Sequence, residues 1–166
     1  MGMPRFTSVV IDTSVIAKFL TEPPSSLPPR VYGREMRTRE KIGLIMRIVK
    51  ECGYIVYYPR SGVVELASVL KRAGFPRDDM LRVVSTVSDE FVIVNEEVIY
   101  PKALAIAMER APSGFDTYFL ALSQTTGSLL ITDDRGMASH AKEMGQPVLF
   151  VRETASEEIK KRLTCY

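Results

Sequence analysis

Residues 8–14 read Ser8-Val9-Val10-Ile11-Asp12-Thr13-Ser14: three β-branched residues in a row, then an acid and two hydroxyls. An unbroken apolar run, as opposed to an alternating one, predicts a strand covered on both faces. The acid that follows stands where open α/β sheets bind their ligands, beyond the carboxyl end of a strand. Working outward, the same kind of run recurs at Tyr54-Ile55-Val56-Tyr57-Tyr58, at Phe91-Val92-Ile93-Val94 and at Leu129-Leu130-Ile131. A fifth, Val148-Leu149-Phe150-Val151, follows Pro147.

Helical spacing fills the intervals. Ile42, Ile45, Val49 and Cys52 form one stripe, Val63, Leu66, Ala67 and Leu70 a second that ends near Gly74 and Pro76, and Met80, Val83, Val84 and Val87 a third. The segment from Glu96 to Arg110 predicts a longer helix closed by Pro112, and Phe115 to Gln124 a shorter one after Ser113-Gly114. Strands alternating with helices predict an α/β fold: a three-layer α/β/α sandwich with a mainly parallel central sheet of four to five strands. The expected layout is one domain over residues 1–152, with a proline-rich and basic insertion at 21–40, and a C-terminal helical tail at 153–166. Thr21 to Arg30 holds four prolines and is expected to be irregular.

Composition removes several classes of function. A 166-residue chain that is 46% hydrophobic and 25% charged suits one ordinary globular domain, not a disordered or fibrous protein. Lys+Arg 22 against Asp+Glu 20 is too mild for a nucleic-acid coat protein, so any such contact must come from local clustering. Residues 30–51 supply one cluster, with Arg30, Arg34, Arg37, Arg39, Lys41, Arg47 and Lys50 against Glu35, Glu40 and Glu51. A run of this kind is most simply a solvated helix face; beside a catalytic site it would face RNA. No apolar run is long enough for a membrane helix, and no leader pattern opens the chain. Cys52 and Cys165 stand in no metal-ligand spacing and read as a core residue and a tail residue in a reducing compartment. A cytoplasmic protein with no membrane attachment is the expectation.

Four acids occupy compatible addresses. Asp12 follows the first strand, Asp134 follows the fourth, Asp116 enters a helix after the Ser113-Gly114 turn, and Glu65 lies one turn into another helix. Converging carboxylates repel one another unless a cation holds them, and hard oxygen ligands without His or Cys favour Mg²⁺ or Mn²⁺. Each acid has a simpler reading taken singly. Asp12, Asp116, Asp133 or Asp134 would serve as a helix cap. Glu65 lies nearly opposite the Val63/Leu66/Leu70 stripe and reads on periodicity alone as an exposed surface carboxylate, while Val64 and Val69 beside it leave room for a partly buried face. His140, the only histidine, is assigned no role.

The order Val9-Val10-Ile11-Asp12-Thr13-Ser14, Glu65 in Gly62-Val63-Val64-Glu65-Leu66-Ala67, Asp116 in Gly114-Phe115-Asp116-Thr117, then Thr132-Asp133-Asp134-Arg135 resembles a PIN-domain ribonuclease. The VapC-type toxins of toxin–antitoxin pairs are one branch of that family. The resemblance spans residues 8 to about 151 and implies hydrolysis of RNA with one or two Mg²⁺ or Mn²⁺ ions and a metal-activated water. It places the catalytic quartet on Asp12, Glu65, Asp116 and Asp134. Asp12, Asp116 and Asp134 then hold the metal, while Ser14 and Thr132 support them. Asp133 competes with Asp134 for the fourth place, and the Thr-x-Asp spacing favours Asp134. A homodimer and a small antitoxin partner are further implications. Arg34, Arg37, Arg39 and Lys41 are the expected contacts to RNA phosphates. The stretch from Asp12 to Glu65 is longer than a compact toxin usually has, which weakens the toxin role more than the fold. Two other readings remain. One is a PIN-like scaffold that binds RNA or protein without cutting. The other is a haloacid-dehalogenase-like phosphatase, whose acid/base position would here be Ser14.

Overall fold

A computed structural model describes residues 6–165. Five strands form one sheet: β1 (Ser8–Ile11), β2 (Ile55–Pro59), β3 (Val92–Val94), β4 (Leu129–Thr132) and β5 (Val148–Phe150). Their order is β3-β2-β1-β4-β5, and every pair is parallel. The helices are α1 (Thr13–Leu20), α2 (Pro29–Glu51), α3 (Arg60–Arg72), α4 (Arg77–Glu90), α5 (Glu96–Arg110), α6 (Gly114–Thr126), α7 (Arg135–Glu143) and α8 (Ser156–Arg162). This is the three-layer α/β/α sandwich that the alternation of runs predicts.

Burial explains which strands lie in the middle. All four residues of β1 and of β4 are buried, as unbroken β-branched and leucine runs require when helices cover both faces. Val92, at the start of the edge strand β3, is exposed, and so is Ile55, because β3 pairs with β2 only from Tyr57 onward. β1 is the strand from which the chain builds outward in both directions. The crevice between the carboxyl ends of β1 and β4 is therefore the topological switch point. There Ile11 is paired with Ile131, and the Asp12 N–H donates to the Ile131 carbonyl at 2.9 Å.

Helix α6 packs across β1, β2 and β4, with α5 laid on it, and α1 contacts α2 and α3. Helix α3 can approach β2 because residue 62 is glycine. A Cβ there would lie 2.9 Å from the Tyr58 ring and 3.0 Å from Phe119, closer than side chains pack. This contact fixes the position of Glu65, one turn further along α3.

Two expectations need correction. Residues 29 and 30 are helical: Pro29 opens α2, where a proline has no helical N–H to forfeit and a suitable φ. The basic segment thus belongs to one 23-residue helix continuous with the Ile42/Ile45/Val49 stripe. The cysteines are also not separate thiols. Cys52, at the end of α2, and Cys165 form a disulfide with a Cα–Cα distance of 4.7 Å. Disulfides persist in oxidising surroundings, so the cysteines give the cytoplasmic expectation no support. The tail is tied twice more, by the Tyr54 hydroxyl to the Thr164 carbonyl at 3.1 Å and by Arg162 to the Val148 carbonyl at 2.9 Å. Among the described residues no helix is long and apolar enough to cross a membrane.

Candidate active site at the carboxyl edge of the sheet

Asp12 leaves β1 in an extended conformation and precedes α1, yet its side chain caps nothing. It is buried, and its Oδ2 accepts from the Ser14 hydroxyl at 2.6 Å and the Thr132 hydroxyl at 2.8 Å. Each hydroxyl is held in turn by a backbone N–H of the turn after β4: Asp133 N–H to Ser14 at 3.3 Å and Asp134 N–H to Thr132 at 3.0 Å. One oxygen of Asp12 is therefore fixed from both sides of the switch point. Burial pushes the carboxyl from the ordinary 3.8 up to about 6; the two hydroxyls oppose this, and the charges of Glu65 and Asp116 add to it.

Glu65 is half-buried, not the exposed surface carboxylate that helical spacing predicts. Its Oε2 accepts from the Thr13 hydroxyl at 2.6 Å, and Thr13 lies 2.7 Å from the hydroxyl of buried Tyr58. Tyr58 also donates to the Gly62 carbonyl at 3.1 Å. Burial raises the Glu65 carboxyl, Thr13 pulls it back, and the Asp116 charge raises it further. Asp116 sits in the first turn of α6, where Ser113, not Asp116, is the cap: its Oγ accepts the Asp116 N–H at 3.3 Å. Burial and the Asp134 charge raise Asp116 too, with Ser113 and His140 acting against them.

The two adjacent aspartates divide clearly. Asp134 does cap α7, through Oδ1 and the Met137 N–H at 2.7 Å, so the capping reading holds for one of its oxygens. Asp133 turns the other way. Lys18 donates to its Oδ2 at 2.5 Å, and Arg152 reaches both oxygens, at 3.1 Å and 2.7 Å. Both oxygens of Asp133 are thus engaged by cations, whereas the side-chain bond found for Asp134 is its cap. Glu35 joins this group through Lys18 at 2.8 Å.

Each of Asp12, Glu65 and Asp116 thus feels another member of the quartet. Among the described residues, however, no three Asp, Glu, His or Cys side chains are placed so that they could hold a metal ion as they stand. Of the four expected phosphate contacts, Arg34 and Arg37 are exposed and Arg39 is half-buried. Lys41 is half-buried and donates to the carbonyls of Val151 and Arg152, at 3.4 Å and 3.1 Å. Sequence reasoning missed Thr13, Tyr58, His140 and the Lys18–Asp133–Arg152 group. One signal was available: Lys18 is the single charge on α1, whose residues from Val15 onward are otherwise apolar.

No family model and no curated protein matches the sequence. Solved structures do match the chain. PAE2754 from Pyrobaculum aerophilum superposes with a TM-score of 0.52 at 16% identity, over 85% of this chain and 88% of that one. FitAcB from Neisseria gonorrhoeae does so with a TM-score of 0.53 at 18% identity, over 88% and 99%. The fold is PIN-like. Identities this low carry the PIN-like fold and leave the chemistry to the residues themselves.

Proposed function

We propose that the protein is a metal-dependent endoribonuclease acting at the switch point of its PIN-like sheet. The observation that carries this reading is the unpaired condition of the carboxylates. Burial raises Asp12, Glu65 and Asp116, and charge adds to it: Glu65 and Asp116 raise Asp12, Asp116 raises Glu65, and Asp134 raises Asp116, an arrangement that costs stability unless a cation or chemistry offsets it. The donor set suits Mg²⁺ or Mn²⁺, since all four side chains offer hard oxygens. When bound, one or two such ions supply a Lewis acid and lower the pKa of a water.

In this reading Asp12, Asp116 and Asp134 hold the ion, and Glu65 ligates it or orients the attacking water. Ser14 and Thr132 hold Asp12 Oδ2 in place, and Oδ1 would be the oxygen offered to an ion. Arg34 and Arg37 take the RNA backbone, which makes affinity fall with salt. The phosphatase alternative is dropped, because Ser14, with its hydroxyl bound to Asp12, has no carboxyl to move a proton. Tyr100, Leu104 and Met108 form an exposed apolar stripe at i, i+4 and i+8 on α5, which supports a homodimer. With a small protein inhibitor, the enzyme would be the toxin of a toxin–antitoxin pair.

One observation favours the non-catalytic scaffold: the absence, among the described residues, of a ready three-ligand cluster. Calorimetric titration with Mn²⁺ separates the two, wild type beside Asp116→Asn, followed by an RNA cleavage screen with Asp12→Asn as control. The nuclease reading expects binding by wild type, loss in Asp116→Asn, and cleavage that disappears in Asp12→Asn. A wild type that takes up no Mn²⁺ and cuts no RNA establishes the scaffold instead.

A further inference from the structure

A cleft of about 320 Å³ opens between the end of α1, the proline-rich loop and the first half of α2. Pro23, Pro24, Leu27 and Val31 give it apolar walls, and the paired Lys18 and Glu35 also line it. Arg39 lines it as well, and its Nε is buried with no hydrogen-bond partner. Its only ionic contact among the described residues is a loose 3.8 Å approach to Glu22. A buried donor left unpaired costs about 1–3 kcal/mol, and the side chain, 32% exposed, has terminal N–H groups that an acceptor entering the cleft can meet as the guanidinium turns.

We propose that this cleft is a subsite for an unstacked nucleobase of single-stranded RNA, with an acceptor on the base edge meeting Arg39. The inference rests on the ribonuclease reading and extends it to how substrate is chosen. Charge selects the occupant. Inside the cleft Lys18 and Arg39 are balanced by Glu22 and Glu35, so a neutral planar group fits better than an anion. Outside it, Arg30, Arg34 and Arg37 are exposed on the neighbouring stripe of α2, at about 100° of turn per residue. A neutral base within and phosphates on the arginines outside is the charge pattern of one polynucleotide strand. Thr21, whose hydroxyl proton goes to the Ala17 carbonyl at 2.8 Å, leaves lone pairs for an exocyclic amine.

The cleft is linked to the carboxylates by a chain of hydrogen bonds. Lys18 in its wall binds Asp133, whose N–H donates to Ser14, whose hydroxyl donates to Asp12. A base held here would set the register of its neighbouring phosphate at the candidate site.

The test is calorimetric titration of the whole protein, in EDTA, with the four nucleoside 5′-monophosphates as probes. Wild type is compared with Arg39→Ala, which removes the donor, and with Val31→Trp, which fills the cleft. Leu27→Glu replaces Val31→Trp if that variant does not fold. The expected result is binding of at least one monophosphate, weakened about tenfold in Arg39→Ala and lost when the cleft is filled. Absence of binding by all four, or binding indifferent to both variants, overturns the subsite. Because EDTA excludes the metal, the two readings fail separately. Nucleotide binding that needs Arg39 in a protein that takes up no Mn²⁺ keeps the subsite and removes the nuclease. RNA cleavage by wild type whose site preference is unchanged in Arg39→Ala keeps the nuclease and removes the subsite.

Discussion

Two groups of acids lie side by side at the carboxyl edge of the sheet and are treated in opposite ways. Asp133 and Glu35 are surrounded by Lys18 and Arg152. Burial pushes the Asp133 carboxyl up, but the hydrogen bonds and charges of Arg152 and Lys18 outweigh it; Glu35 is lowered chiefly by its bond from Lys18. Asp12, Glu65 and Asp116 are hydrogen-bonded by hydroxyls and are all raised, the charges of Arg72 on Glu65 and His140 on Asp116 being too weak to reverse this. The two groups touch through one bond, Asp133 N–H to Ser14. Neighbouring carboxylates in one fold can therefore be structural or poised, and the difference is whether the chain brings its own counter-charge.

The largest way to break this contrast is to remove the paired side. Asp133→Ala strips a fully buried carboxylate from Lys18 and Arg152 and leaves the Arg152 N–H without its acceptor. Breaking a buried pair from one side costs about 3–5 kcal/mol, and the part-exposed cations put this case at the lower end. Chemical denaturation at neutral pH measures it. The sign with pH follows from the lowered pKa values of Asp133 and Glu35. Their stabilisation is present above the ordinary carboxylate range and is lost as pH falls through the lowered values. The gap between wild type and Asp133→Ala should close on acidification; a gap constant with pH would show that packing, not charge, holds Asp133.

Removing the poised side should do the reverse. The fold favours the neutral form of Asp12, so the stability that form provides is complete below 3.8 and is lost as pH rises through about 6. At neutral pH the metal-free protein thus gives up at most about 3 kcal/mol. Asp12→Asn keeps the Ser14 and Thr132 contacts without the charge. It should raise metal-free stability at pH 7 by up to that amount and flatten the pH dependence between 4 and 6. A variant no more stable than wild type would mean that Asp12 carries no uncompensated charge.

The central part of this layout was legible in the residues. Unbroken runs at 8–11 and 129–131 announce strands covered on both faces, and these are the fully buried β1 and β4. The address of Asp12 follows from that alone. Glu65 was not legible, because helical spacing reports only which face of α3 meets its nearest neighbour. It cannot report that Gly62 brings the helix onto Tyr58 and half-buries the opposite side. Asp133 and Asp134 were inseparable for a related reason. What divides them is contact with Lys18 and Arg152, residues 115 and 19 positions away from Asp133. The cysteine pair fails likewise: two residues 113 apart carry no local sign that they meet.

The smallest test asks whether the poised carboxylates act as one group or as three neighbours. Glu65 bears on Asp12 through charge alone, while its own anchor is the Thr13 hydroxyl. Glu65→Gln keeps that hydrogen bond and deletes the charge. If the three share one field, the Asp12 carboxyl, followed by carbon NMR, should titrate at lower pH in the variant, and Mn²⁺ affinity should fall about tenfold, or 1.4 kcal/mol. A lower Asp12 midpoint with unchanged Mn²⁺ affinity would move Glu65 from ligand to the residue that orients water. An unmoved midpoint would separate Glu65 from the cluster and leave Asp12 raised by burial and by Asp116, which makes Asp12 and Asp116 the pair on which a metal must depend.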